Sequence, residues 1–267
     1  GVVVTAKENE NSATTSRTMD RTALDHVQMV SLADIGGLLP GGATANPSLL
    51  SAQRFNIRAG GSTEAGNASF GTAVEVDGVR LSNNASFSGT HGVAVNNIAS
   101  SNVESVEVIS GVPSVEYGDV GAGIVKVNTK KGIAPYTVTM TTNPKTKQFS
   151  VSKGYGLGQT KRGSSAGVLN ASAEYTYSVD DSRSPYTSYD RKQLSLIYSN
   201  LFNSGIFSDA PLRFSAGFSG NIGGTDSKAD PDLLTGTYEK QKDNTLRANV
   251  EMNWLLSKPW ITNLEFK

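Results

Sequence analysis

Apolar and polar residues alternate with period two along most of the chain's second half. Tyr136, Val138 and Met140 alternate with Thr137, Thr139 and Thr141, and Phe149, Val151 and Tyr155 with Gln148, Ser150 and Ser152. The same rhythm runs through residues 169–179, 193–199, 212–219 and 245–254, and Trp260, Leu264 and Phe266 open a seventh segment. Such alternation predicts β-strands with one apolar and one wet face. A water-soluble sandwich turns the apolar face inward, whereas an outer-membrane barrel turns it to lipid and lines its lumen with the polar face. Three details favour the barrel. The longer segments reach the ~9–11 residues a spanning strand needs. Aromatics stand at segment ends: Tyr136, Tyr155, Trp254 and Trp260. The long polar excursion at 221–242 and the tight turn at 257–259 fall on opposite sides.

The first half has another texture. Residues 9–18 are polar and read as a flexible stretch. In 21–39, Leu24, Val27, Leu32, Ile35 and Leu39 recur at three- to five-residue steps, predicting a partly helical segment that Pro40-Gly41-Gly42 stops. Strands are predicted at 55–58, 73–77, 103–109 and 124–127, with Asp77-Gly78 closing the second in a tight turn. The fold class that follows is an α+β unit followed by antiparallel strands of a transmembrane β-barrel.

Composition narrows the function. In 267 residues, 24 Lys and Arg balance 24 Asp and Glu. That argues against nucleic acid as a partner, since phosphate binding draws a basic excess. There is no cysteine and there are only two histidines, His26 and His91, so thiolate nucleophiles, Cys-based metal sites and a His-rich site are excluded. Apolar residues make up 37%, which suits strands with one wet face. No stretch approaches the ~20 apolar residues of a spanning helix.

Four segments in order carry a resemblance. They are Phe55-Asn56-Ile57-Arg58-Ala59-Gly60, Val74-Glu75-Val76-Asp77-Gly78-Val79, 103–111 with its Glu104, Glu107 and Gly111, and 115–132 with Tyr117-Gly118 and Gly123 before Thr129-Lys130-Lys131. Together they resemble the plug domain of TonB-dependent outer-membrane transporters, with a texture similar to the Bacteroidetes type. The plug-motif residues are then Arg58, Gly60, Glu75, Asp77, Gly78, Glu104, Glu107, Gly111, Tyr117, Gly118 and Gly123. Val2, Val3, Val4, Thr5 and Ala6 are similar to the TonB box, and an extended, β-branched segment of that kind suits strand addition to a partner sheet. The first plug segment departs from the family's pattern, with Ala59 where a glycine is usual.

The resemblance implies a segment 1–8 for TonB, a plug over 9–134 and about seven barrel strands over 135–267. It implies an active transporter in the Gram-negative outer membrane, its plug and turns facing the periplasm. Its cargo is a nutrient of the glycan, peptide, siderophore or vitamin class. The partners implied are the periplasmic domain of TonB with its inner-membrane energising complex, the outer membrane, the extracellular nutrient and a surface lipoprotein. No enzyme activity, cofactor or metal is expected. In the family, ligand meets the outward plug apices, which points to Asn83, Asn84, Phe87 and His91. Barrels that hold a plug have about 22 strands, so the chain reads as an N-terminal portion, with no signalling domain ahead of the box.

Arg58 with Glu75, Asp77, Glu104 and Glu107 invites an acid–base reading, against which an internal polar network is the expectation. Gly111, Gly118, Gly121 and Gly123 are expected in turns or at close backbone approaches. Asp226, Asp230 and Asp232 read as a solvated loop rather than a calcium site. The rival function is a surface β-rich binding or adhesion protein with a plug-like domain and no transport.

Overall fold

A computed structural model describes residues 5–8, 14–27, 29–38, 49–50, 72–81, 95–111, 123–160, 163–228 and 238–266. Its contacts divide the chain into two compact units, Gly1–Thr129 and Lys130–Lys267.

The first unit is a mixed sheet with helical turns on one face. Its strands are β1 (Thr5–Glu8), β2 (Thr14–Met19), β3 (Thr72–Val76), β4 (Val79–Arg80), β5 (Val103–Gly111) and β6 (Gly123–Thr129), in the order β1-β2-β5-β6-β3-β4. Among the described residues, only β3 and β6 pair in parallel. Helix α1 (Arg21–Val27) starts at Asp20, whose Oδ1 accepts the Ala23 N–H at 2.9 Å as an N-cap. A 3-10 segment, Leu32–Leu38, follows. Asp34 ties it down by accepting the Val30 and Ser31 N–H groups, and burial pushes its carboxyl up from the ordinary value against those two bonds. Leu24, Leu32 and Ile35 bury against Val74, Val106, Val108, Val125 and Val127, the inward positions of alternating strands. Arg21 fixes α1 to the start of β5, pairing with Asp25 and donating to the Ser100 and Val103 carbonyls at 3.0 and 2.7 Å.

Two expectations need correction here. Residues 14–18 belong to β2 rather than to a flexible stretch, because Thr14, Thr15 and Thr18 are β-branched and the ladder to β5 supplies their backbone partners. Gly111 is the last residue of β5, opposite Thr14, and not part of a turn.

The second unit is an antiparallel meander: β7 (Ala134–Thr142), β8 (Thr146–Gly156), β9 (Val168–Asp181), β10 (Ser184–Phe202), β11 (Leu212–Ser227), β12 (Glu239–Lys242), β13 (Thr245–Lys258) and β14 (Ile261–Phe266). The order is β14-β13-β11-β10-β9-β8-β7, with β12 pairing on β11, and the sheet is open. The turns at 143–145 and 182–183 and the β11–β12 connection define its upper end. The connections at 203–211 and 259–260 define its lower end. The excursion expected at 221–242 is partly strand. β11 continues to Ser227 and pairs with β12 from Gly224–Lys242 to Ser227–Glu239. Apolar alternation stops near Ile222, but ladder pairing is a backbone matter and continues past it.

Candidate functional site

The predicted plug-motif carboxylates do not converge on one site. One register row crosses the first sheet as Thr18, Glu107, Lys126, Glu75 and Arg80, so charges of opposite sign stand side by side on neighbouring strands. Ser16 Oγ donates to Glu107 at 2.6 Å. Glu104 lies exposed. Asp77 is buried and sits at φ +50°, with Gly78 at φ +78°, the positive angles of a two-residue hairpin that joins β3 to β4. Its carboxylate accepts the Thr129 N–H at 3.0 Å and the Thr129 hydroxyl at 2.7 Å, closing the hairpin onto the end of β6. Gly123 opens β6, between Ser110 and Thr72. These groups hold a sheet together; they do not compose an acid–base pair.

Arg58, Gly60, Tyr117 and Gly118, the ligand positions Asn83, Asn84, Phe87 and His91, and Val2, Val3 and Val4 lie outside the described residues. Thr5 and Ala6 begin β1, an edge strand paired on one side with β2. Asp230 and Asp232 also lie outside the described residues, among which no group of three metal-ligating side chains gathers.

The second unit carries the less ordinary geometry: its two faces are inverted relative to a water-soluble sheet. On one face the rows read Tyr155-Leu169-Tyr198-Ala216-Val250, Lys153-Ala171-Leu196-Phe218-Ala248 and Val151-Ala173-Leu194-Gly220-Leu246. Met140, Leu194 and Leu246 there are 75%, 48% and 71% exposed. Among the described residues, every exposed large apolar side chain belongs to this unit. The opposite face is polar and buried, with Thr146, Gln148, Ser150, Ser172, Glu174, Thr176, Ser178, Gln193 and Ser195. Exposed apolar rows flanked by buried polar ones are the arrangement of strands between lipid and a wet lumen.

Within the polar face Arg191 and Glu174, diagonal neighbours on β10 and β9, form an ion pair at 2.5 Å with side chains 0% and 2% exposed. Arg191 also donates to Thr176 Oγ1 at 3.4 Å. The motif reading did not select this pair. Extending the alternation two residues upstream of Gln193 would have placed Arg191 on the face that already held Glu174. At the lower end, the Tyr136 and Tyr155 hydroxyls lie 3.1 Å apart, and the Lys153 ammonium sits 3.9 Å from the Tyr136 ring centre. Trp254 donates to the Ala210 carbonyl at 3.0 Å. Of the aromatics expected at strand ends, Tyr136, Tyr155 and Trp254 thus have polar partners, and Trp260 is exposed.

Residues 8–125 match the family model of the TonB-dependent receptor plug domain. Those residues therefore carry a plug domain of the TonB-dependent receptor type. Solved receptors share its fold. The ferric enterobactin receptor of Pseudomonas aeruginosa, in a mutant form with enterobactin, superposes with a TM-score of 0.57 at 16% identity, over 90% of this chain and 38% of its own. The ferripyoverdine receptor of the outer membrane of the same organism gives 0.54 at 13%, over 93% and 32%. The siderophore receptor PiuA of Acinetobacter baumannii gives 0.52 at 14%, over 91% and 34%. The chain thus spans about a third of the length of those structures. In sequence, no curated protein matches it.

Proposed function

We propose that the chain is the N-terminal portion of a TonB-dependent outer-membrane transporter, with a TonB-binding segment over 1–8, a plug over 9–134 and the first barrel strands over 135–267. The observation that carries this is a plug-family domain followed by long strands whose apolar face is exposed and whose polar face is buried. The transporter binds an external nutrient, of the glycan, peptide, siderophore or vitamin class, and releases it inward when TonB acts on the plug. The three receptors named above bind or are named for siderophores, which makes a ferric siderophore the first ligand to assay. Asn83, Asn84, Phe87 and His91 are the proposed contacts on the plug. The plug and the lower-end connections face the periplasm, and no bond chemistry is required.

Val2, Val3, Val4, Thr5 and Ala6 are the proposed TonB contacts. β1 supports this, because an edge strand keeps one row of backbone N–H and C=O groups for a second neighbour. Immobilised periplasmic TonB domain should capture the protein in detergent and lose it when residues 1–10 are removed. Equal capture of both forms would overturn the assignment.

A further inference from the structure

The exposed face of the second unit is not uniform. Near its upper end lies a groove of about 780 Å³, floored by Ala173 and Gly220 and walled by Phe149, Tyr175, Phe218 and Leu246. The floor is low where Ala173 on β9 and Gly220 on β11 stand on either side of Leu194 in the Val151-Ala173-Leu194-Gly220-Leu246 row. A Cβ added at Gly220 would meet only the end of Leu246, at 3.8 Å, so the depression is open space rather than a tight backbone contact.

A lysine interrupts the apolar row at the top of this groove. Lys192 stands between Tyr175 and Ile222, and its ammonium leans one row up to Asp190, at 3.4 Å. That upper row reads Lys147-Tyr177-Asp190-Gly224-Lys242, and the next brings Lys240 opposite Asp226. On this face the groove is thus capped by Lys147, Lys192, Lys240 and Lys242 against Asp190 and Asp226, a positive balance. Lys147 and Lys242 are each two strands from Asp190, about 10 Å, so their chains can converge on one headgroup beside Lys192. A long aliphatic stem with a charged tip fits the boundary between acyl chains and headgroups.

We propose that this groove seats an acyl chain of a phospholipid with net negative charge, whose phosphate rests on Lys192, flanked by Lys147 and Lys242. The inference rests on the membrane reading above, and charge complementarity selects the occupant. A lipid without net charge would fill the groove but leave the positive balance of the lysines unmet. A soluble phosphate would meet the lysines but leave the apolar floor empty.

The test inserts the full-length protein into phosphatidylcholine membranes containing a minority of phosphatidylglycerol, extracts it in neutral detergent and counts retained lipid by native mass spectrometry. Phosphatidylglycerol should be retained well above its share. Lys192→Gln should lower that enrichment about fivefold, the scale of one lysine at an anionic surface. Gly220→Leu, which fills the groove without changing charge, should lower retention as well, and Lys153→Gln at the lower end should leave it unchanged. Insertion with no enrichment, or enrichment that survives both Lys192→Gln and Gly220→Leu, overturns the lipid site alone. Failure of the wild-type strands to insert, read by protease protection, overturns the membrane reading and the site with it.

Discussion

At the scale of single residues, Asp77 separates what a motif implies from what a side chain does. Its sequence position next to Gly78 and near other carboxylates is compatible with chemistry or with a turn, and nothing in the sequence pairs it with Thr129. The pairing comes from β3 and β6 running in parallel, a contact between segments 52 residues apart. Asp77→Ala removes two hydrogen bonds to a buried carboxylate and puts a methyl side chain at φ +50°. We expect it to cost about 2–4 kcal/mol of the plug's stability, measured by denaturant unfolding. Asp77→Asn, which tolerates that backbone angle and keeps an acceptor, should cost less.

At the scale of elements, strands were legible wherever one face met a different environment from the other. Val106 and Val108 alternate with polar neighbours, and β5 is found there; Leu169 to Val179 alternate, and β9 is found there. The elements that escaped show little contrast between their faces. β12 is polar throughout and β2 is polar except for Met19, which enters the core at its end, so period two has little to display. The buried pair of Arg191 and Glu174 escaped for a related reason, since polar residues on a polar face look alike whether solvated or paired. Replacing one member leaves the other charge buried, so Arg191→Leu is expected to cost about 3–5 kcal/mol. Arg191→Leu with Glu174→Leu should recover most of that, as read from urea unfolding of membrane-inserted protein.

At the scale of the whole molecule, the plug was legible because its segments follow in order, and the strands because their alternation persists over many residues. Which substrate is carried was not legible, since the polar composition of the proposed ligand segment, residues 82–94, suits several chemistries. The chain's two tryptophans offer a check on how the sheet sits in a bilayer. Trp254, in the last apolar row with Phe202, Leu212 and Leu264, and the 82%-exposed Trp260 both lie at the lower end. Their fluorescence should be quenched more by lipids brominated near the headgroup than by lipids brominated deep in the chain, and equal or absent quenching would contradict an interfacial girdle. The one-sided pairing of β1 has a mechanical meaning too. A load on the chain ahead of Thr5 reaches the Thr5–Thr18 pair first and Glu8–Thr15 last. Directed away from β2, such a load opens the ladder one rung at a time, at about 1 kcal/mol per hydrogen bond, whereas a load along the strand would shear all rungs together. β2 offers its Thr14–Gly111 rung next. Under tension this edge yields in small steps, well before the valine layer behind it has to move.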